Sequence, residues 1–101
     1  MARHIVLAKC YDKQGRLLSS AYNSYNKTHP IMAYLAKATS QNRFKVFLHA
    51  EVLAILRAGD KNIHRITIER YHKNGAPALA KPCEMCQLFI NMNGIKEVVH
   101  T

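Results

Sequence analysis

The sequence predicts an α/β protein with a short mixed sheet of about four strands, and three observations carry that prediction. Stretches rich in β-prone residues interleave with stretches whose apolar residues recur at helical spacing. The resulting order is strand, strand, helix, helix, strand, helix, strand. The first two strands are joined by a short polar turn, which makes them an antiparallel hairpin. The third and fourth strands flank a helix within residues 64–100, and such a unit requires a parallel pair with a right-handed crossover. At 101 residues the whole chain is expected to form one domain.

Residues 4–11 are apolar enough for the first strand, Asp12-Lys13-Gln14-Gly15 reads as a turn, and residues 16–22 return. Cys10 falls in the first strand and is expected to be a buried, inert thiol. A polar loop over residues 23–29 leads to Pro30, which suits a first helical position. Ile31, Tyr34, Leu35 and Ala38 then place a helix over about residues 30–39. A basic connection over residues 39–45 precedes the apolar Phe44, Val46, Phe47 and Leu48. The second helix is expected from His49 to Ala58, with Val52, Ile55 and Leu56 inward and Gly59 as its C-terminal cap. From His64 to His72 the chain alternates, Ile66 and Ile68 pointing one way and Arg65, Thr67 and Glu69 the other. Asn74-Gly75 with Pro77 marks a turn. The third helix is expected over about residues 82–93, with Leu88, Phe89 and Met92 inward and Gly94 as cap; residues 96–100 form the last strand.

Composition narrows the class. No apolar run approaches the ~20 residues a membrane span needs. The first residues carry no signal-peptide pattern. Three cysteines do not make a disulfide framework, so a reducing cytoplasm is the expected location. The net charge of +9 is spread along the chain without a basic tail. It reads either as attraction to phosphate, in a nucleotide or a nucleic acid strand, or as a solvated surface. A chain this short buries only about 60–65% of its unfolded surface, so a metal or self-association would add stability.

Two runs carry the chemistry: His49-Ala50-Glu51 and Pro82-Cys83-Glu84-Met85-Cys86. His49, Cys83 and Cys86 offer one nitrogen and two sulfurs, a donor set suited to Zn²⁺. A spacing of three puts both thiols on one helix face. With Pro82 at the first helical position, both lie in the opening turn, where free N–H groups favour thiolate. Three ligands leave a fourth position open, as catalytic rather than structural zinc sites do. Glu51, two residues from His49, is placed to carry protons beside that position.

The two runs match the H-x-E…P-C-x-x-C pattern of zinc deaminases. On them the chain resembles the cytidine and deoxycytidylate deaminase superfamily, including its small phage-type members. The resemblance implies a three-layer α/β/α sandwich, one Zn²⁺ per chain, and hydrolytic deamination of a cytosine base to uracil with release of ammonia. It implies Glu51 as the general acid and base, and the Ala50 N–H as a donor to the base carbonyl. It also implies an asparagine after the second strand that bonds the substrate sugar. Asn23 matches best and Asn26 is the fallback. Beside it, Tyr25 reads as an aromatic edging the pocket or covering the first helix, and His29 as a pocket group or a helix-start residue. The family usually adds a fifth strand, often followed by a helix, beyond the point where this sequence stops at Thr101. That leaves a sheet edge that a second copy of the chain would cover. The expected substrate is a cytidine or deoxycytidine nucleoside or nucleotide such as deoxycytidylate. The alternatives are cytosine in single-stranded DNA or RNA, and a non-catalytic, zinc-stabilised module that binds nucleic acid through its basic surface.

Overall fold

Strands with one buried face dominate the sheet, and short helices close over that face. The computed structural model describes residues 5–24, 28–39, 48–59, 61–72 and 74–101. In chain order the elements are β1 (Ile5–Tyr11), β2 (Leu17–Tyr22), α1 (Pro30–Ala38), α2 (Ala50–Ala58), β3 (Arg65–Tyr71), β4 (Pro77–Ala78), α3 (Glu84–Met92) and β5 (Glu97–His100). β1 pairs antiparallel with both β2 and β3. The other edge of β3 is shared end to end: β5 runs parallel along Arg65–Ile68, and β4 runs antiparallel at Arg70 and Tyr71. The sheet is therefore mixed, with the expected parallel pair across α3.

It has five strands where the sequence indicates about four. The addition is β4, two residues inside the stretch read as turn and connection. Two residues show no periodicity, and Pro77 lacks the N–H of a ladder residue, which confines it to an edge.

The hairpin turn is held by Asp12, whose carboxylate accepts from the N–H groups of Gln14 and Arg16, both at 2.9 Å. The same carboxylate pairs with Arg16 Nε at 2.8 Å, and these partners, the Arg16 N–H first, hold its pKa below the usual carboxylate range. Gly15 sits at φ +84°, a conformation that costs a side-chain-bearing residue dearly.

The core forms where alternate strand residues meet the helices. Ala8, Cys10, Ala21, Ile66 and Ile68 come from the sheet, and Met32, Leu35, Val52, Ile55, Met85 and Ile90 from α1, α2 and α3. Cys10 is fully buried and burial pushes its thiol pKa up, which fits an inert core thiol. Each helix has only nine residues, too few to persist alone, so packing holds them. One polar tie adds to it: Ser19 Oγ on β2 donates to the Ala54 carbonyl of α2 at 2.7 Å. Met92, read as inward, is 53% exposed. Met85, Cys86, Phe89 and Ile90 define the buried stripe of α3, and Met92 is turned away from it. Tyr34 of α1 is exposed for the same reason, Met32, Leu35 and Ala36 being the buried set.

Thr101 fastens the shared edge of β3. Its Oγ1 donates to the Ala78 carbonyl at 2.6 Å and accepts from Arg70 N–H at 3.0 Å. Its N–H donates to Ile68 and its carbonyl accepts from Ala80, both in the space between β5 and β4. Replacing the hydroxyl by a methyl group leaves the Arg70 N–H and the Ala78 carbonyl unmet. Thr101→Val is expected to lower unfolding stability by about 1–3 kcal/mol, read from urea denaturation.

Candidate metal centre and active site

Both motifs lie at helix starts, His49 one position and the cysteines two positions earlier in their helices than the sequence suggests. His49 is the N-cap of α2, with φ −76° and ψ 152°, so α2 begins at Ala50. Cys83 is the N-cap of α3, with φ −71° and ψ 171°, so α3 begins at Glu84. Pro82 therefore precedes the cap instead of taking the first helical position, and Cys86 falls on the third helical residue. The extended cap conformation swings the imidazole and the thiol off the helix axis, and neither side chain caps its own helix.

The three donors converge. His49 Nδ1 lies 3.3 Å from Cys86 Sγ and 3.6 Å from Cys83 Sγ, and all three donor atoms lie within 4.8 Å of one another. Tetrahedral Zn²⁺ with ordinary Zn–N and Zn–S bonds sets N and S about 3.6 Å apart. The spacing and chemistry of the donors thus fit zinc, through Nδ1 of the histidine. Among the described residues no other group of His, Cys, Asp and Glu is so arranged.

The electrostatics are those of a dithiol short of positive charge. The Cys83 thiol is pulled down to about 4, first by its hydrogen bond with Cys86 and then by His49, against the cost of burial. Cys86 is pushed up because it keeps the shared proton, because it is buried, and because Glu51 faces it. Glu51 is 7% exposed, and burial raises its carboxyl pKa above the usual range. Its hydrogen bond to Cys86 and the nearby His49 oppose that rise. A buried carboxyl with a raised pKa beside three metal-capable donors is equipped to take up and return a proton.

The other residues singled out in the sequence fall in several places. Ala50 is fully buried at the first position of α2, where helix amides have no acceptor within the helix. Asn23 extends the hairpin: its Oδ1 accepts from Val6 N–H at 2.9 Å, and its own N–H donates to the Val6 carbonyl at 3.1 Å. Ser24 N–H donates to the Leu48 carbonyl at 2.9 Å, which ties the end of β2 to the residue before His49. His29 is the N-cap of α1, its Nδ1 accepting from Ile31 N–H at 3.1 Å. Tyr25 and Asn26 lie outside the described residues. Arg70 continues the alternation of Ile66 and Ile68, which puts a cation on the buried face of β3.

A cleft of about 1050 Å³ lies elsewhere, lined among others by Gly59, Lys61, Asn93 and Lys96. It abuts the C-terminal ends of α2 and α3, whereas His49 and Cys83 sit at their N-termini, so it is separate from the metal centre.

Comparison with known proteins agrees with this geometry. Residues 4–101 match the family model described as the cytidine and deoxycytidylate deaminase zinc-binding region. The chain belongs to this zinc-binding deaminase family, and its cofactor is one Zn²⁺. Its fold is similar to the crystal structure of a mutant cytidine deaminase from Mycobacterium tuberculosis. The TM-score is 0.56 at 18% identity, over 98% of this chain and 69% of that one. No curated protein matches. Among the described residues no helix is long and apolar enough to cross a membrane.

The thiol environments give a direct check. With zinc removed, Cys83 is exposed and ionised above about pH 4, while Cys86 and Cys10 are buried and protonated. Iodoacetamide at pH 6 is expected to label Cys83 ahead of both, as read by peptide mass spectrometry.

Proposed function

We propose that the protein hydrolyses the exocyclic amino group from the cytosine of a nucleoside or nucleotide, such as deoxycytidylate, giving the uracil product and ammonia. The observation that carries this reading is the buried Glu51 carboxyl against the His49, Cys83 and Cys86 donors. In this reading His49 Nδ1 and the two sulfurs hold the metal. Bound zinc supplies a water acidified towards neutral pH. Glu51 accepts the proton of that water and delivers it to the ring nitrogen beside the carbon under attack. It then takes the remaining proton of the hydroxyl added to that carbon and passes it to the amine, which leaves as ammonia as the new carbonyl forms, so one carboxylate serves as base and acid in turn. The Ala50 N–H, at the positive end of α2, holds the base carbonyl. Asn23 donates its side-chain amide to the sugar, and Tyr25 and His29 edge the pocket.

The charge of +9 favours a second reading, in which the same chemistry acts on cytosine in a single strand of DNA or RNA. A purely structural zinc module has no use for a buried proton carrier, and Glu51 weighs against it.

The deciding experiment is an ammonia-release screen of the zinc-loaded protein against nucleosides, nucleotides and short oligonucleotides. Release from free cytosine substrates supports the first reading, and release from oligonucleotides alone supports the second. Glu51→Gln is expected to keep one zinc per chain and to lower kcat by about 10²–10⁴. Cys83→Ala is expected to lose zinc by metal analysis and to melt at lower temperature, because metal binding and folding are coupled.

A further inference from the structure

We propose that Arg70 holds the 5′-phosphate of the substrate, which makes that substrate a nucleoside monophosphate. The inference rests on the deaminase reading above. It starts from a cation on the face where the neighbouring Ile66 and Ile68 are buried. Arg70 lies opposite Val6 of β1 and Ala78 of β4, and its backbone N–H donates to Thr101 Oγ1. Its guanidinium is far less well satisfied. Nη1 reaches the Leu79 carbonyl at 3.4 Å, at the limit of a hydrogen bond, and Nε is buried without a partner.

Arg65 is the instructive contrast. Its Nε is also buried and unpartnered, but its guanidinium lies 4.8 Å over the Tyr11 ring and has an aromatic face for company. Arg70 has neither such a ring nor an ion pair among the described residues. A guanidinium is a planar fork of five donors, suited to grip phosphate with two at once. Nearly all buried donors in folded proteins have an acceptor, so one that lacks it calls for an explanation.

Position supplies the rest. Arg70 stands at the carboxyl end of β3, the end of an α/β sheet where ligands bind, and the N-termini of α2 and α3 lie at that end too. The Leu79 carbonyl it touches is four residues before Cys83, at most roughly 13 Å along the chain. Val6, its partner on β1, is the residue whose N–H and carbonyl are both held by Asn23. Adjacent strands are about 4.8 Å apart. Arg70 is thus tied both to the strand that Asn23 holds and to the segment that leads into Cys83. An arginine in this place distinguishes a phosphorylated substrate from an unphosphorylated one.

The test is kcat/KM of the zinc-loaded protein for deoxycytidine and deoxycytidylate, in the wild type, Arg70→Gln and Arg70→Lys. The wild type is expected to prefer the nucleotide. Arg70→Gln is expected to cut the nucleotide-to-nucleoside ratio at least tenfold, mainly through KM for the nucleotide. Arg70→Lys, a point charge without the fork, is expected to recover part of it. A destabilised fold would not change this ratio. A ratio within threefold of wild type in both variants overturns the assignment. So does a wild-type preference for the nucleoside, which needs no variant to fold. Turnover of an oligonucleotide in preference to deoxycytidylate overturns it as well, by moving the phosphate into a strand. No turnover of any cytosine substrate removes the deaminase reading and this inference with it.

Discussion

Everything in this protein's chemistry depends on two helix starts meeting within a few ångströms. His49 and Cys83 occupy the N-cap positions of α2 and α3, and Cys86 reaches the same point from the first turn of α3. Neither helix sets its own position. α2 is seated on β1 and β2 by Val52, Ala54 and Ile55, and by the Ser19 hydroxyl on its Ala54 carbonyl. Leu48, just before it, is held by the amide of Ser24. α3 is fixed at its far end, where Gly94 at φ +66° turns the chain into β5. The sheet therefore determines the separation of the donors, and the caps determine their direction.

Helix N-termini suit the groups gathered there. The partial positive charge of unpaired amides favours thiolate on Cys83 and a carboxylate on Glu51. Burial works against that charge, most of all for Glu51 and Cys86. Two sulfurs and a carboxyl in so small a volume strain towards holding a shared proton, and a divalent cation relieves that strain better than a proton does. A metal and a proton are thus rival occupants of the same electrostatic need, and Glu51 stands where both are felt. This is the physical sense in which the zinc donors and a carboxyl that readily holds a proton form one arrangement here.

Periodicity made most of the architecture legible. Strand alternation around Ile66 and Ile68 and the helical spacing of Ile31, Leu35 and their neighbours survive because burial of one face is what selects those residues. The donors were legible too, because a histidine and two cysteines at metal spacing have few other uses. What escaped has a common cause: it depends on partners distant in sequence. β4 exists only because β3 offers an edge and Thr101 seals it. The cap positions of His49 and Cys83 follow from where each helix can dock. Asn23 stands out in the sequence only as a loop asparagine, and its clasp on Val6, 17 residues away, has no local signature. Arg70 continues the alternation of Ile66 and Ile68, but in a sequence a strand arginine reads as a solvated charge.

The fastening at Thr101 has a practical side. Its backbone is engaged on both sides, by Ile68 and Ala80, so any peptide joined after it must leave from the seam between the two short edge strands. Ala80 is three residues from Cys83. A purification tag fused at that end would emerge next to the loop that presents a zinc ligand, and a histidine-rich one would bring competing imidazoles within reach of the metal. Metal content measured on such a fusion would report on the tag as well as on the protein.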